Sequence, residues 1–128
     1  MTAKKNILAD KAPAPIGPYS QAVMVGETLY VSGQIALDPA NGNMAGNNDV
    51  ELETWQVMRN LAAILKEAGM GWQNVVKASI FLKDLSTFGV VNNIYGFHFK
   101  ENPPARETVQ VAKLPKDANV EISVIAVK

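Results

Sequence analysis

The sequence predicts an α/β (α+β) fold: one domain over residues 1–128, with a mixed β-sheet and two helices packed on one face. Three observations predict it. Short β-branched runs alternate with two stretches of helical periodicity. A hairpin signal near the start rules out a wholly parallel sheet. Apolar residues make up 48% of 128, enough for one buried core without disulfide or metal staples.

The elements follow in order. Residues 11–18, Lys-Ala-Pro-Ala-Pro-Ile-Gly-Pro, form an extended lead-in, because proline fits neither helix nor sheet interior. Ala22–Val25 and Thr28–Ser32 are two strands joined by Gly26-Glu27, a pair suited to a type II′ turn. Gly33, just after them, marks a bulge or a close backbone approach. Asp38–Asp49 is turn chemistry throughout, with at most a short strand around Met44. A helix is expected over 50–68, opened by a capping box from Asn48 to Glu51 and stopped by Gly69. Its buried face is Val50, Thr54, Val57, Leu61, Leu65 and Ala68.

Val75–Leu82 reads as a strand, with Lys77 and Ser79 on one face and Ala78 and Ile80 on the other. A second helix is expected over 87–99, with Phe88, Val91, Tyr95 and Phe99 in register. Pro103-Pro104 ends it. Thr108–Ala112 and Val120–Val127 complete the sheet across a turn at Leu114–Asn119. Two helices cover only one sheet face, yet several strands read apolar on both. A second copy of the chain is the expected cover, so the sequence predicts a homo-oligomer.

Composition excludes several chemistries. There is no cysteine, hence no thiol nucleophile, disulfide or cysteine-ligated metal. One histidine, His98, excludes any zinc site that needs two imidazoles, and between Phe97 and Phe99 it reads as structural. Twelve basic and twelve acidic residues balance, which leaves no electrostatic footprint for nucleic acid or a membrane surface. No stretch is apolar enough to span a bilayer, and the first ten residues lack a secretory apolar core, so a cytoplasmic, metal-free protein is expected. No phosphate-cradling glycine loop is present.

Two arginines occur. Arg59 sits among polar helix positions and reads as solvated. Arg106 follows Pro-Pro-Ala at the start of a strand, where a guanidinium needs a partner. That partner is either a carboxylate ligand gripped by the bidentate fork or an internal carboxylate, Glu107 or Glu121. Glu121 opens the most apolar strand and could hold or deprotonate a water. Tyr19 and Asn92 are weaker candidates, each with a plain structural reading as sheet-edge aromatic and helix-surface amide.

Six ordered segments run Ile16-Gly17-Pro18-Tyr19-Ser20-Gln21-Ala22, Val31-Ser32-Gly33-Gln34, Phe81-Leu82-Lys83-Asp84-Leu85, Val91-Asn92 with Tyr95, Pro104-Ala105-Arg106, and Val111-Ala112-Lys113-Leu114-Pro115-Lys116-Asp117 with Val120-Glu121-Ile122. Together they resemble the RidA (YjgF) family of imine/enamine deaminases, from about residue 12 to the end of the chain. The resemblance implies a chorismate-mutase-like fold and a homotrimer with a central barrel and clefts between subunits. It implies hydrolysis of 2-imino and 2-enamino acids to 2-keto acids and ammonia, with no cofactor. It assigns Arg106 to the substrate carboxylate and Glu121 to the attacking water. Tyr19, Gly33, Asn92 and Thr108 resemble cleft-lining positions.

Three features depart from the family pattern. Glu107 stands where many members carry a small residue; on a strand it should point away from Arg106, and pointing inward it would neutralise the fork. Thr108 stands where some members have cysteine, and Lys100–Pro104 is shorter than in several relatives. A non-catalytic trimer that binds small carboxylates would keep Arg106 but has no need of Glu121. A nuclease or translation-inhibitor reading meets zero net charge and no basic cluster.

Overall fold

The computed structural model describes residues 3–128; Met1 and Thr2 lie outside the described residues. Six strands form one sheet: β1 (Lys4–Ile7), β2 (Ala22–Val25), β3 (Thr28–Gln34), β4 (Val75–Leu82), β5 (Ala105–Gln110) and β6 (Val120–Val127). Their spatial order is β1-β2-β3-β6-β4-β5. Only β4 and β5 pair in parallel; every other pairing is antiparallel. Two helices, α1 (Val50–Glu67) and α2 (Phe88–His98), complete the mixed α+β fold expected from the sequence.

The β2–β3 hairpin forms across a two-residue loop, Val25 opposite Thr28. Gly26 has φ +58 and Glu27 does not share the positive sign, as a type II′ turn requires. Between Val31 and Gln34, β3 advances three residues while β6 advances two, from Val124 to Ile122. The extra residue is a bulge at Ser32-Gly33, where the sequence placed one.

Helix α1 departs from expectation at its start. Asp49, not Asn48, is the N-cap: its carboxylate accepts from the backbone N–H of Glu51 at 2.8 Å and of Leu52 at 3.3 Å. Asn48 has φ +64, outside the extended region that an N-cap needs, so no Asn48–Glu51 capping box forms. The end is as read. Gly69 has φ +75, and the Gly69 and Met70 N–H groups bond back to Lys66 and Leu65 in a Schellman motif. Val57, Leu61 and Leu65 are fully buried, joined by Met58 and Ile64.

Three other elements shift. Residues Lys4–Ile7 form an edge strand that was not expected. Around Met44 there is only a single bridge to Leu37. The fifth strand begins at Ala105 and ends at Gln110, three residues earlier at its start than Thr108–Ala112. Its position is set by pairing with β4, Ala78 to Arg106 and Ile80 to Thr108, after the α2 crossover.

The core lies between the sheet and the helices, with Leu29, Ala78, Ile80, Ile122, Val124 and Ala126 beneath α1 and α2. The opposite sheet face is open. Tyr30, Val109 and Val127 are exposed there, beside half-buried Phe81 and Ile125. No helix among the described residues is long and apolar enough to cross a membrane.

Candidate functional site

The six candidate residues gather at two separate places. Tyr19, Gly33 and Glu121 line a cavity of about 390 Å³. The rest of its wall comes from Pro13, Ala14 and Ile16 of the lead-in, Ile35 and Leu37 after β3, and Pro115. Gln21 builds this wall. It is 2% exposed, and its side chain binds Ala9 N and the carbonyls of Ala9, Ala12 and Pro13. One buried amide therefore satisfies a proline-rich segment that has no ladder of its own. Ser32 ties the same region down through Oγ to the Ser20 carbonyl at 2.6 Å. Asn60 of α1 does likewise for the far wall, donating to the carbonyls of Ile35 and Leu37. Sequence reasoning missed these three positioning residues; a buried polar side chain is visible only once burial is known.

Glu121 projects from the open face of β6, opposite Phe81 of β4. It is half-buried, and desolvation pushes its carboxyl above the ordinary glutamate range. It lies directly over Gly33. A Cβ built at residue 33 would fall 2.5 Å from Glu121 Oε2 and 2.8 Å from Cδ. The glycine thus answers to a close approach, and the group that approaches is this carboxylate. Tyr19 is half exposed, and its hydroxyl accepts from the Ile16 N–H at 3.4 Å.

The second place is the β5–α2 edge. Arg106 Nη1 donates to Asn92 Oδ1 at 2.8 Å. The guanidinium lies 4.9 Å from the Tyr95 ring centroid and 5.5 Å from that of Phe88. Thr108 is the next residue on this face of β5. Two polar atoms here are buried with no hydrogen-bond partner among the described residues, Tyr95 Oη and Thr108 Oγ1. Leaving such a hydroxyl unpaired costs about 1–3 kcal/mol.

Arg106 pairs with neither glutamate named from the sequence. Glu107 points to the opposite face, as strand alternation demands, and meets Lys77 Nζ at 3.0 Å and the Ser79 hydroxyl. Those two contacts hold its carboxyl below the ordinary range. Glu121 is on that same open face, whereas Arg106 and Thr108 share the helix-covered face with Ala78, Ile80 and Ile122. Within one chain the fork and the desolvated carboxylate are therefore on opposite sides of the sheet.

His98 is structural, as expected. It sits between Trp55 and Trp72, with ring centroids 5.6 and 5.1 Å away, and Nδ1 faces the Ile94 carbonyl at 2.9 Å. Burial lowers its pKa.

Within one chain, then, a guanidinium bonded to one amide and a desolvated carboxylate stand apart. The family model described as Endoribonuclease L-PSP matches residues 9–128. The chain belongs to this family. Its members among solved structures include a Rid-family protein, YyfA from Yersinia pestis, 45% identical, with a TM-score of 0.95 over 98% of this chain and 100% of that one. The family is thus the one that the sequence motifs resembled. The chain is 50% identical to the 2-iminobutanoate/2-iminopropanoate deaminase of Mus musculus, over 98% of this chain and 92% of that one. It is 36% identical to E. coli TdcF, solved with bound serine, with a TM-score of 0.90 over 97% of this chain and 98% of that one.

Proposed function

We propose that this family member is a cytoplasmic imine/enamine deaminase. It hydrolyses reactive 2-imino and 2-enamino acids, such as 2-iminobutanoate and 2-aminoacrylate, to 2-keto acids and ammonia. Two observations support the reading: a guanidinium bonded through Nη1 to Asn92, and a desolvated carboxylate over a glycine. The named activity of the mouse relative supports it, as does the amino acid held by TdcF.

The working unit is a homotrimer in which the open sheet faces line a central barrel and each cleft joins the Arg106 edge of one copy to the Glu121 cavity of another. The exposed Tyr30, Val109 and Val127 support burial of that face. Arg106 binds the substrate carboxylate through two parallel N–H···O bonds. Asn92 and Thr108 border that carboxylate, while Tyr19 and Gly33 border the reacting carbon. An enamine first tautomerises to its imine. Glu121 accepts a proton from water as the water oxygen bonds to the imine carbon. The imine nitrogen, protonated in the substrate, becomes the amine of a neutral carbinolamine, which then collapses: Glu121 returns its proton to that amine, the C–N bond breaks, ammonia leaves, and the carbonyl forms as the hydroxyl proton passes back to Glu121 and on to solvent. No cofactor is needed, because the imine carbon is already electrophilic and positioning can supply about 7–11 kcal/mol in the best intramolecular cases.

The test generates 2-iminobutanoate from threonine with a dehydratase and traps free imine with semicarbazide. The wild-type protein suppresses semicarbazone formation; Arg106→Ala loses at least about a hundredfold in kcat/KM. Equal suppression by both proteins would remove Arg106 from the site. No suppression by either would leave a carboxylate-binding module. Zero net charge argues against RNA as the substrate, despite the family's description.

A further inference from the structure

Arg106 is held by more than its hydrogen bond to Asn92. Phe88, Asn92 and Tyr95 are spaced four and three residues apart on α2, so one helix face carries all three. Tyr95 is 5% exposed and cannot drift, because Phe99 braces its ring at 4.6 Å. A guanidinium over an aromatic face is attracted by the ring quadrupole, and this contact uses none of its N–H groups. Asn92 takes only Nη1. The planar fork has five donors, so its remaining edge stays available.

We propose that Tyr95 is a positioning residue for the carboxylate-binding arm: its ring fixes the plane of Arg106, so that the free edge of the fork meets the substrate carboxylate with two bonds. The inference rests on the proposed role of Arg106. It adds a residue whose contribution is to orientation and not to contact with the reacting atoms. Phe88, at the exposed rim, is the looser of the two rings.

The experiment uses the full-length assembled protein. Ring current from Tyr95 shifts the Arg106 Hε proton resonance upfield of a free arginine. The shift persists in Tyr95→Phe and disappears in Tyr95→Leu. Titration with 2-ketobutanoate, the product, gives an affinity about tenfold weaker for Tyr95→Leu and within about threefold of wild type for Tyr95→Phe. In the imine assay Tyr95→Leu raises KM by a similar factor and changes kcat less than about twofold. If Tyr95→Leu fails to assemble, Tyr95→Met fills the space without an aromatic face and takes its place. Retention of both shift and affinity in the ring-less variant overturns the proposal. So does an affinity loss in Tyr95→Phe as large as in Tyr95→Leu, which would give the role to the hydroxyl. A wild-type protein that shows the shift and binds 2-ketobutanoate but turns over no imine upholds Tyr95 and removes only the deaminase reading.

Discussion

Glu121 and Glu107 lie on the same sheet face and titrate in opposite directions. Burial raises the first, while Lys77 and Ser79 lower the second. For Glu121 the folded pKa exceeds the unfolded one. Its contribution to stability is therefore fully present below the ordinary glutamate pKa and is lost as pH rises through the folded value. Above that folded value the ionised group destabilises the fold. Glu121→Gln should accordingly lower kcat by at least about a hundredfold, yet raise the melting temperature at pH 7 relative to wild type and not at pH 4. The wild-type rate should rise with pH through a pKa above the usual glutamate range. Glu107→Ala, by contrast, removes an exposed ion pair to Lys77 and a hydrogen bond from Ser79, away from Arg106, and kcat/KM should stay within about threefold. Arg106 and Glu121 stand out in the sequence because charged groups in apolar strands are unusual. Asn92 stands out as a candidate too, but not as the partner of Arg106: that pairing depends on how α2 crosses β5, which no local pattern encodes.

At the level of elements, the bulge in β3 and the cap of α1 lend themselves to test. Gly33→Ala places a methyl 2.5 Å from Glu121 Oε2, so the carboxylate must swing aside. A displacement of about 1 Å can cost about a hundredfold, so kcat should fall by one to two orders of magnitude while the fold persists. Asp49→Ala removes a cap that bonds the N–H groups of Glu51 and Leu52 and does not line the Glu121 cavity; it should cost about 1 kcal/mol in urea denaturation at fixed chain concentration and leave kcat/KM unchanged. Helix α1, the β2–β3 hairpin, β4 and β6 were readable because periodicity, turn residues and burial agree in each. β1 was not: Lys4-Lys5-Asn6-Ile7 turns a single side chain inward, too little for an alternation signal. β5 was displaced because its limits answer to the β4 register and not to its own β-branched residues.

For the whole molecule, the decisive feature is that the fork and the base occupy opposite faces of one sheet. On the proposed roles, a lone chain has two half-sites and no complete one. Mixing inactive Arg106→Ala with inactive Glu121→Gln chains, unfolded and reassembled in equal amounts, should restore about a quarter of wild-type activity, since each cleft draws one group from each of two neighbours at random. Recovery of none would mean that both groups act within one chain. The same geometry governs how defects combine in a cell that carries two alleles. A chain lacking Arg106 spoils only the one cleft to which it lends its fork, and its own Glu121 still serves a neighbour. Activity should therefore decline in simple proportion to the fraction of defective chains. A damaged copy dilutes the assembly without poisoning it.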